Sequence, residues 1–143
     1  MGKLVFSFLA VLLILVAAGA AQTGDEATPD KTTGITIEAV LCSDVVDRLP
    51  TGEADSFGDD IGKVCLWTRV KGAVDTTFIK HNWYFEGKEM ASVELSVKSA
   101  NWRTYSSKNI LPEWDGNWEV KVVDASGQTL VSKKFTVTRT EKQ

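Results

Sequence analysis

The feature that most constrains this 143-residue chain is a period of two in its apolar residues. Successive side chains of a strand point to opposite faces, so alternating apolar and polar residues mark a sheet with one buried face. Val93, Leu95 and Val97 alternate with Ser92, Glu94, Ser96 and Lys98, and Trp118, Val120 and Val122 with Glu119 and Lys121. Ile35, Ile37, Ala39 and Leu41 alternate in the same way with Thr36, Glu38 and Val40. Phe78 to Phe85 places Ile79, His81, Trp83 and Phe85 on one face. Val64 to Val70 is continuous and β-prone, which suits a strand covered on both faces. Trp102 to Ser107 and Leu130 to Thr138, with Phe135 and Val137 sharing a face, complete the set.

Turn chemistry separates these runs: Lys71-Gly72-Ala73, a hairpin tip at Glu86-Gly87, Pro112, and Asp124-Ala125-Ser126-Gly127. Asp44 to Gly62, with Pro50, Gly52, Gly58 and six acidic residues, reads as a long surface loop pinned by Phe57. No helical periodicity follows the first residues. The pattern predicts an all-β domain over residues 34–140, an antiparallel sandwich of about seven strands resembling immunoglobulin and fibronectin type III domains. The Cys…Trp…Cys spacing of antibody domains is absent, and the strand order stays open.

Lys3, the apolar run Leu4 to Ala18 and the small residues Ala18-Gly19-Ala20 form a secretory signal pattern over residues 1–20. An uncleaved anchor is the alternative; the run is short for a membrane span, which takes about 20 residues. Residues 21–33 read as a flexible polar leader. Cleavage after Ala20 would take 20 of the 143 residues and leave 123, the size of one domain. Losing Lys3 would leave 15 basic side chains against 19 acidic ones, a net charge near −4. Such a balance offers no long-range attraction to phosphate backbones or anionic lipid, so the expected partners exclude nucleic acid and a membrane surface.

Export favours a disulfide between Cys42 and Cys65 over two inert buried thiols. Two cysteines and one distant histidine have no metal-ligand spacing, and no cofactor motif is present.

The residues His81-Asn-Trp83-Tyr84, Trp102-Arg103-Thr104-Tyr105-Ser106-Ser107-Lys108, Gly116-Asn-Trp118-Glu-Val120 and Val123-Asp124-Ala-Ser-Gly127 carry a resemblance. Phe78 to Val137 resembles a bacterial domain family of unknown function, the one numbered 2914. The resemblance implies an exported or membrane-linked bacterial protein with one β-domain. It implies no activity, substrate or catalytic residue.

Candidate chemistry is sparse. His81, the lone histidine, shares parity with Ile79, Trp83 and Phe85, which points to a hydrogen-bonded core residue. Neither Gly-x-Ser-x-Gly nor Ser-x-x-Lys occurs. Ser106 and Lys108 share a face, but nothing in the sequence lowers the lysine's pKa toward a Ser–Lys dyad. The acidic run Glu53, Asp55, Asp59 and Asp60 fails the calcium-loop pattern, because Phe57 sits where an oxygen ligand belongs. Gly58 to Gly62 lacks the basic residue of a phosphate cradle.

The aromatic block is what remains. Trp67, Trp83 and Trp118 fall on apolar strand faces and read as core. Trp102 and Tyr105 have opposite parity, Arg103 shares a face with Tyr105, and Trp114 lies in a loop between Pro112 and Asp115. Exposed Arg, Tyr and Trp are the composition of an interface hot spot. The same rings suit sugar stacking, with Asn101 and Arg103 as donors. The structural alternative is an Arg103 stacked on a tryptophan to cap the sheet edge. The expectation is a non-catalytic extracytoplasmic module that binds an envelope or secreted protein through Trp102, Arg103, Tyr105 and Trp114. A carbohydrate-binding module comes second and a hydrolase third.

Overall fold

The computed structural model describes residues 34–141. The expected signal peptide and leader lie outside the described residues, which belong to one compact unit, Lys31–Gln143. Every regular element among them is a strand: β1 Thr36–Cys42, β2 Asp44–Val46, β3 Leu49–Thr51, β4 Ser56–Gly58, β5 Lys63–Lys71, β6 Thr77–Phe85, β7 Lys88–Val97, β8 Asn101–Asn109, β9 Gly116–Asp124 and β10 Thr129–Thr138.

The strands form a three-stranded sheet, β1-β5-β8, a five-stranded sheet, β4-β10-β9-β6-β7, and a two-stranded hairpin, β2-β3. The two larger sheets bury one common core. Leu41, Val64, Leu66 and Val70 come from the first sheet, and Ile79, Trp83, Trp118, Val120, Val122, Phe135 and Val137 from the second. This is the sandwich solution: each sheet hides its apolar face against the other. Trp118 lies at the heart of the aromatic packing, with ring centroids 4.9 Å from Phe85, 5.8 Å from Phe135 and 6.1 Å from Trp114.

The seven long strands follow the alternation in the sequence. Two-residue hairpins need both central residues in the left-handed region, and Glu86 and Gly87 supply it at φ 49° and 83°. Asp44 to Gly62, expected as a loop, instead carries three short strands. The β2–β3 turn is Asp47-Arg48, at φ 53° and 65° with no glycine, so no ordinary turn signal marks it. The pairing is not wholly antiparallel either. β4 runs parallel to β10, with Phe57 in register with Val137 and edge-on to Phe135 at 5.9 Å. Three-residue strands are too short to show a period, and their partners lie far away in the chain.

Gly72 follows β5 at φ 94°, and a Cβ there would stand 2.1 Å from the carbonyl oxygen of Gly34. Both the backbone angle and the space require glycine. Gly72→Ala is expected to destabilise the domain by about 2 kcal/mol or more, read as a lower urea midpoint at unchanged m-value.

Candidate functional site

Strand β8 organises the site, because its two faces do different things. Thr104 and Ser106 point between the sheets, while Arg103 and Tyr105 point outward and are exposed. On the outer face, cross-strand register places Tyr105 beside Trp67 and Arg103 beside Arg69; on the other flank of β5, Val40 sits beside Trp67 and Glu38 beside Arg69. The β2–β3 hairpin folds over this face. Its tip is fixed by Trp67, whose indole Nε1–H donates to the Arg48 carbonyl at 2.9 Å.

Between hairpin and β8 lies a cavity of about 540 Å³, bordered by Arg48, Trp67, Trp102, Arg103 and Tyr105. Tyr105 on its lining is 50% exposed, and Val46 and Leu49, on the open face of the hairpin, are 49% and 52% exposed. Its cations are unspent. The ion pairs among the described residues are Lys63–Asp44 and Arg139–Asp115, so Arg48 and Arg103 on its lining, and Arg69 opposite Arg103 on β5, take part in none. Arg69 Nε is buried and has no hydrogen-bond partner among the described residues.

Three of the four expected surface residues, Trp102, Arg103 and Tyr105, therefore line one cavity. Trp114 does not join them. It packs against Trp118, accepts that residue's indole N–H on its carbonyl at 3.0 Å, and lies under the Lys108 ammonium at 4.8 Å. The cation over a tryptophan is thus Lys108 on Trp114. Trp67 is buried, but in a separate cluster with Cys42 and Cys65 and not between the sheets. Arg48, Val46 and Leu49 were not anticipated, since the hairpin that presents them has no sequence signature. Arg69 was legible: it shares strand parity with Trp67.

A larger cavity, about 620 Å³, opens beside Glu86 and Glu119. Two of its three carboxylates are used within the fold: Glu86 Oε1 accepts the Asn117 N–H at 2.7 Å, and Glu119 accepts the Ser132 hydroxyl at 2.5 Å, leaving Asp55.

Between the sheets, His81 is fully buried in a chain of polar groups. Its Nδ1 lies 2.6 Å from Ser106 Oγ and its Nε2 3.4 Å from Thr68 Oγ1. Trp83 Nε1–H donates to Ser106 Oγ at 3.2 Å, and the Thr68 hydroxyl donates to the Thr104 carbonyl at 3.0 Å. One tautomer satisfies every donor. Ser106 accepts from Trp83 and donates to Nδ1; Nε2–H then donates to Thr68, which passes its own proton to the carbonyl. Burial pushes the His81 pKa down to about 4, which keeps this neutral form. A serine and an imidazole in contact resemble a nucleophile and its base, but Ser106 is only 6% exposed and the ring not at all. The arrangement ties β6 to β5 and β8.

Cys42 and Cys65 face each other in register on β1 and β5, both buried thiols. The contact of the Cys42 thiol with the Cys65 sulfur pushes the Cys65 pKa down to about 7, against the effect of burial. The same contact, joined by burial, pushes Cys42 up.

Residues 76–137 match the model of a family described as a protein of unknown function, DUF2914. They span β6 to β10 apart from the last residue of β10, and so include the whole of β8. No curated protein matches the chain.

Proposed function

We infer, from a chain whose residues 76–137 match that family of unknown function, that the sandwich is a non-catalytic module of the bacterial envelope, exported by its first 20 residues, which binds another protein through the outer face of β8. The observation that carries this reading is the exposed Tyr105, with Val46 and Leu49 exposed on the adjoining hairpin, beside a cavity whose Arg48 and Arg103 have no ion-pair partner among the described residues. Apolar side chains half open to water beside Arg and Tyr are what an interface core needs before it is covered. Sugar stacking is less well served. Among the described residues Tyr105 is the only aromatic ring more than a third exposed. We read the strand order as immunoglobulin-like: β1, β5 and β8 stand as strands A, B and E, and β7, β6, β9 and β10 as C′, C, F and G.

The test is photo-crosslinking in the native envelope from position 105, with position 80 on the outer face of the other sheet as control. Capture of a discrete protein from 105 and not from 80 is expected. Arg103→Ala with the crosslinker at 105, and Tyr105→Ala with it at 103, should leave the melting point within about 2 °C, because both side chains are exposed, yet lower the capture about tenfold. Equal capture from both positions, or capture indifferent to both substitutions, would overturn the reading.

The cysteine pair belongs to the same proposal. Opposed residues on antiparallel strands have Cα atoms about 4.5–5.5 Å apart, within disulfide range. In an oxidising compartment the two thiols exchange with a disulfide oxidant, which leaves as its dithiol while Cys42 and Cys65 become joined. The bond is expected to stabilise the fold by about 3 kcal/mol. Intact mass of the envelope-purified protein, before and after reduction, reads its presence; free thiols in that material would refute it.

A further inference from the structure

The place of β8 in its sheet says more about the partner, on the reading just given. Among the described residues β8 has one hydrogen-bonded neighbour, β5, so its nine residues present a ladder that no other described strand pairs. Such an edge is ordinarily guarded by proline, bulges or inward charges. β8 has no proline, its pairing with β5 runs from Lys63–Asn109 to Lys71–Asn101 without a register shift, and its one inward charge, Lys108, lies toward the far end over Trp114, beyond the stretch Asn101 to Tyr105. The cavity also meets this strand in an unusual way. Five consecutive residues, Asn101 to Tyr105, border it. Consecutive strand residues point to opposite faces, so a space touching all five touches the backbone itself.

The second observation is electrostatic. Arg69 and Arg103 are directly opposed across the β5–β8 ladder, an arrangement that is unfavourable for like charges. Glu38 is in register with Arg69 and Asp47 adjoins Arg48, yet neither acid is within ion-pair distance of these arginines among the described residues. A buried guanidinium nitrogen without an acceptor, beside a second free arginine, is a site short of an anion. The deficit is local, because the whole chain carries a net charge of −3.

We propose that β8 accepts an extended acidic peptide segment of the partner as an added strand, with a carboxylate meeting Arg103, which relieves its opposition to Arg69, and an apolar side chain two positions along meeting Tyr105. The two-residue spacing follows from the rows on the sheet: Arg103 with Arg69, then Tyr105 with Trp67. Main-chain bonds to β8 give affinity, and the alternation of acid and apolar side chains on one face gives selectivity.

The probe is a blocked eight-residue peptide in which threonine alternates with aspartate and valine, titrated into isotope-labelled full-length protein and followed by backbone amide NMR. Amide shifts confined to β8 and the β2–β3 hairpin are expected, with affinity falling about tenfold in Arg103→Ala at unchanged melting point. A peptide with lysine for aspartate should not bind, and one with a central proline should lose most of its affinity. Equal binding of the lysine peptide would overturn the acidic requirement, and equal binding of the proline peptide the strand addition. A sulfated glycan shifting the same amides where the peptide shifts none would replace this proposal with a polyanion site. Crosslinking from position 105 that persists without peptide binding would sink this inference alone; loss of that crosslinking would sink the reading beneath it.

Discussion

Acidification is expected to remove about 3 kcal/mol of stability through one side chain, His81. The unfolded imidazole protonates at its ordinary value of 6.5, whereas burial holds the folded one near 4. Between those values the unfolded state binds more protons, so stability falls as pH falls. The contribution is intact above about pH 6.5, declines through the interval and is fully lost below about pH 4. The size follows from about 1.4 kcal/mol per pKa unit. Protonation has a further structural consequence: Nδ1 would become a donor facing Ser106, whose acceptor side already serves Trp83.

Urea unfolding of the wild type and of His81→Gln between pH 4 and pH 8 measures this directly. The variant should start about 2 kcal/mol or more lower at pH 8, because a buried network loses its centre. The gap should narrow toward pH 4, since glutamine does not titrate and every other acid effect is common to both proteins. A gap that stays constant with pH, or a His81 resonance titrating above pH 6, would refute the buried neutral imidazole.

The second large effect is expected at Trp118. Truncation to alanine removes the ring that Phe85, Phe135 and Trp114 share, and leaves the Trp114 carbonyl without the indole donor. Large-to-alanine changes at buried aromatic sites cost about 3–5 kcal/mol, against about 5–15 kcal/mol for the whole stability of an ordinary domain. Trp118→Phe keeps most of the volume and forfeits the hydrogen bond, so a loss of about 1–2 kcal/mol is expected. Chemical denaturation monitored by far-UV circular dichroism ranks the three proteins. A Trp118→Ala loss below about 1 kcal/mol would mean that the aromatic cluster is not the centre of the core.

The long strands were legible because each carries its burial in its own residues. Val93, Leu95 and Val97, or Trp118, Val120 and Val122, state which face is covered without reference to any other strand. The double burial of β5 was legible from its unbroken apolar run, but what covers its outer side was not. That cover is a hairpin turned by Asp47 and Arg48 in left-handed backbone, with the Trp67 indole bonded to its tip and paired flanks on either side. The candidate surface divided the same way. Parity on β8 separated Arg103 and Tyr105 from Ser106, while Trp114, a loop residue with no period to obey, went to the core side against Trp118.

Local alternation and turn chemistry thus dictate the strands, their inward faces and the hairpin at Glu86-Gly87, because those follow from sterics and solvation along a few consecutive residues. The partners across space do not. Cys42 opposite Cys65, Ser106 on the His81 ring 25 residues away, and Arg69 against Arg103 are juxtapositions of strands distant in the chain. They arise only once the two sheets close on a common core, since it is packing, not periodicity, that chooses which strand lies beside which.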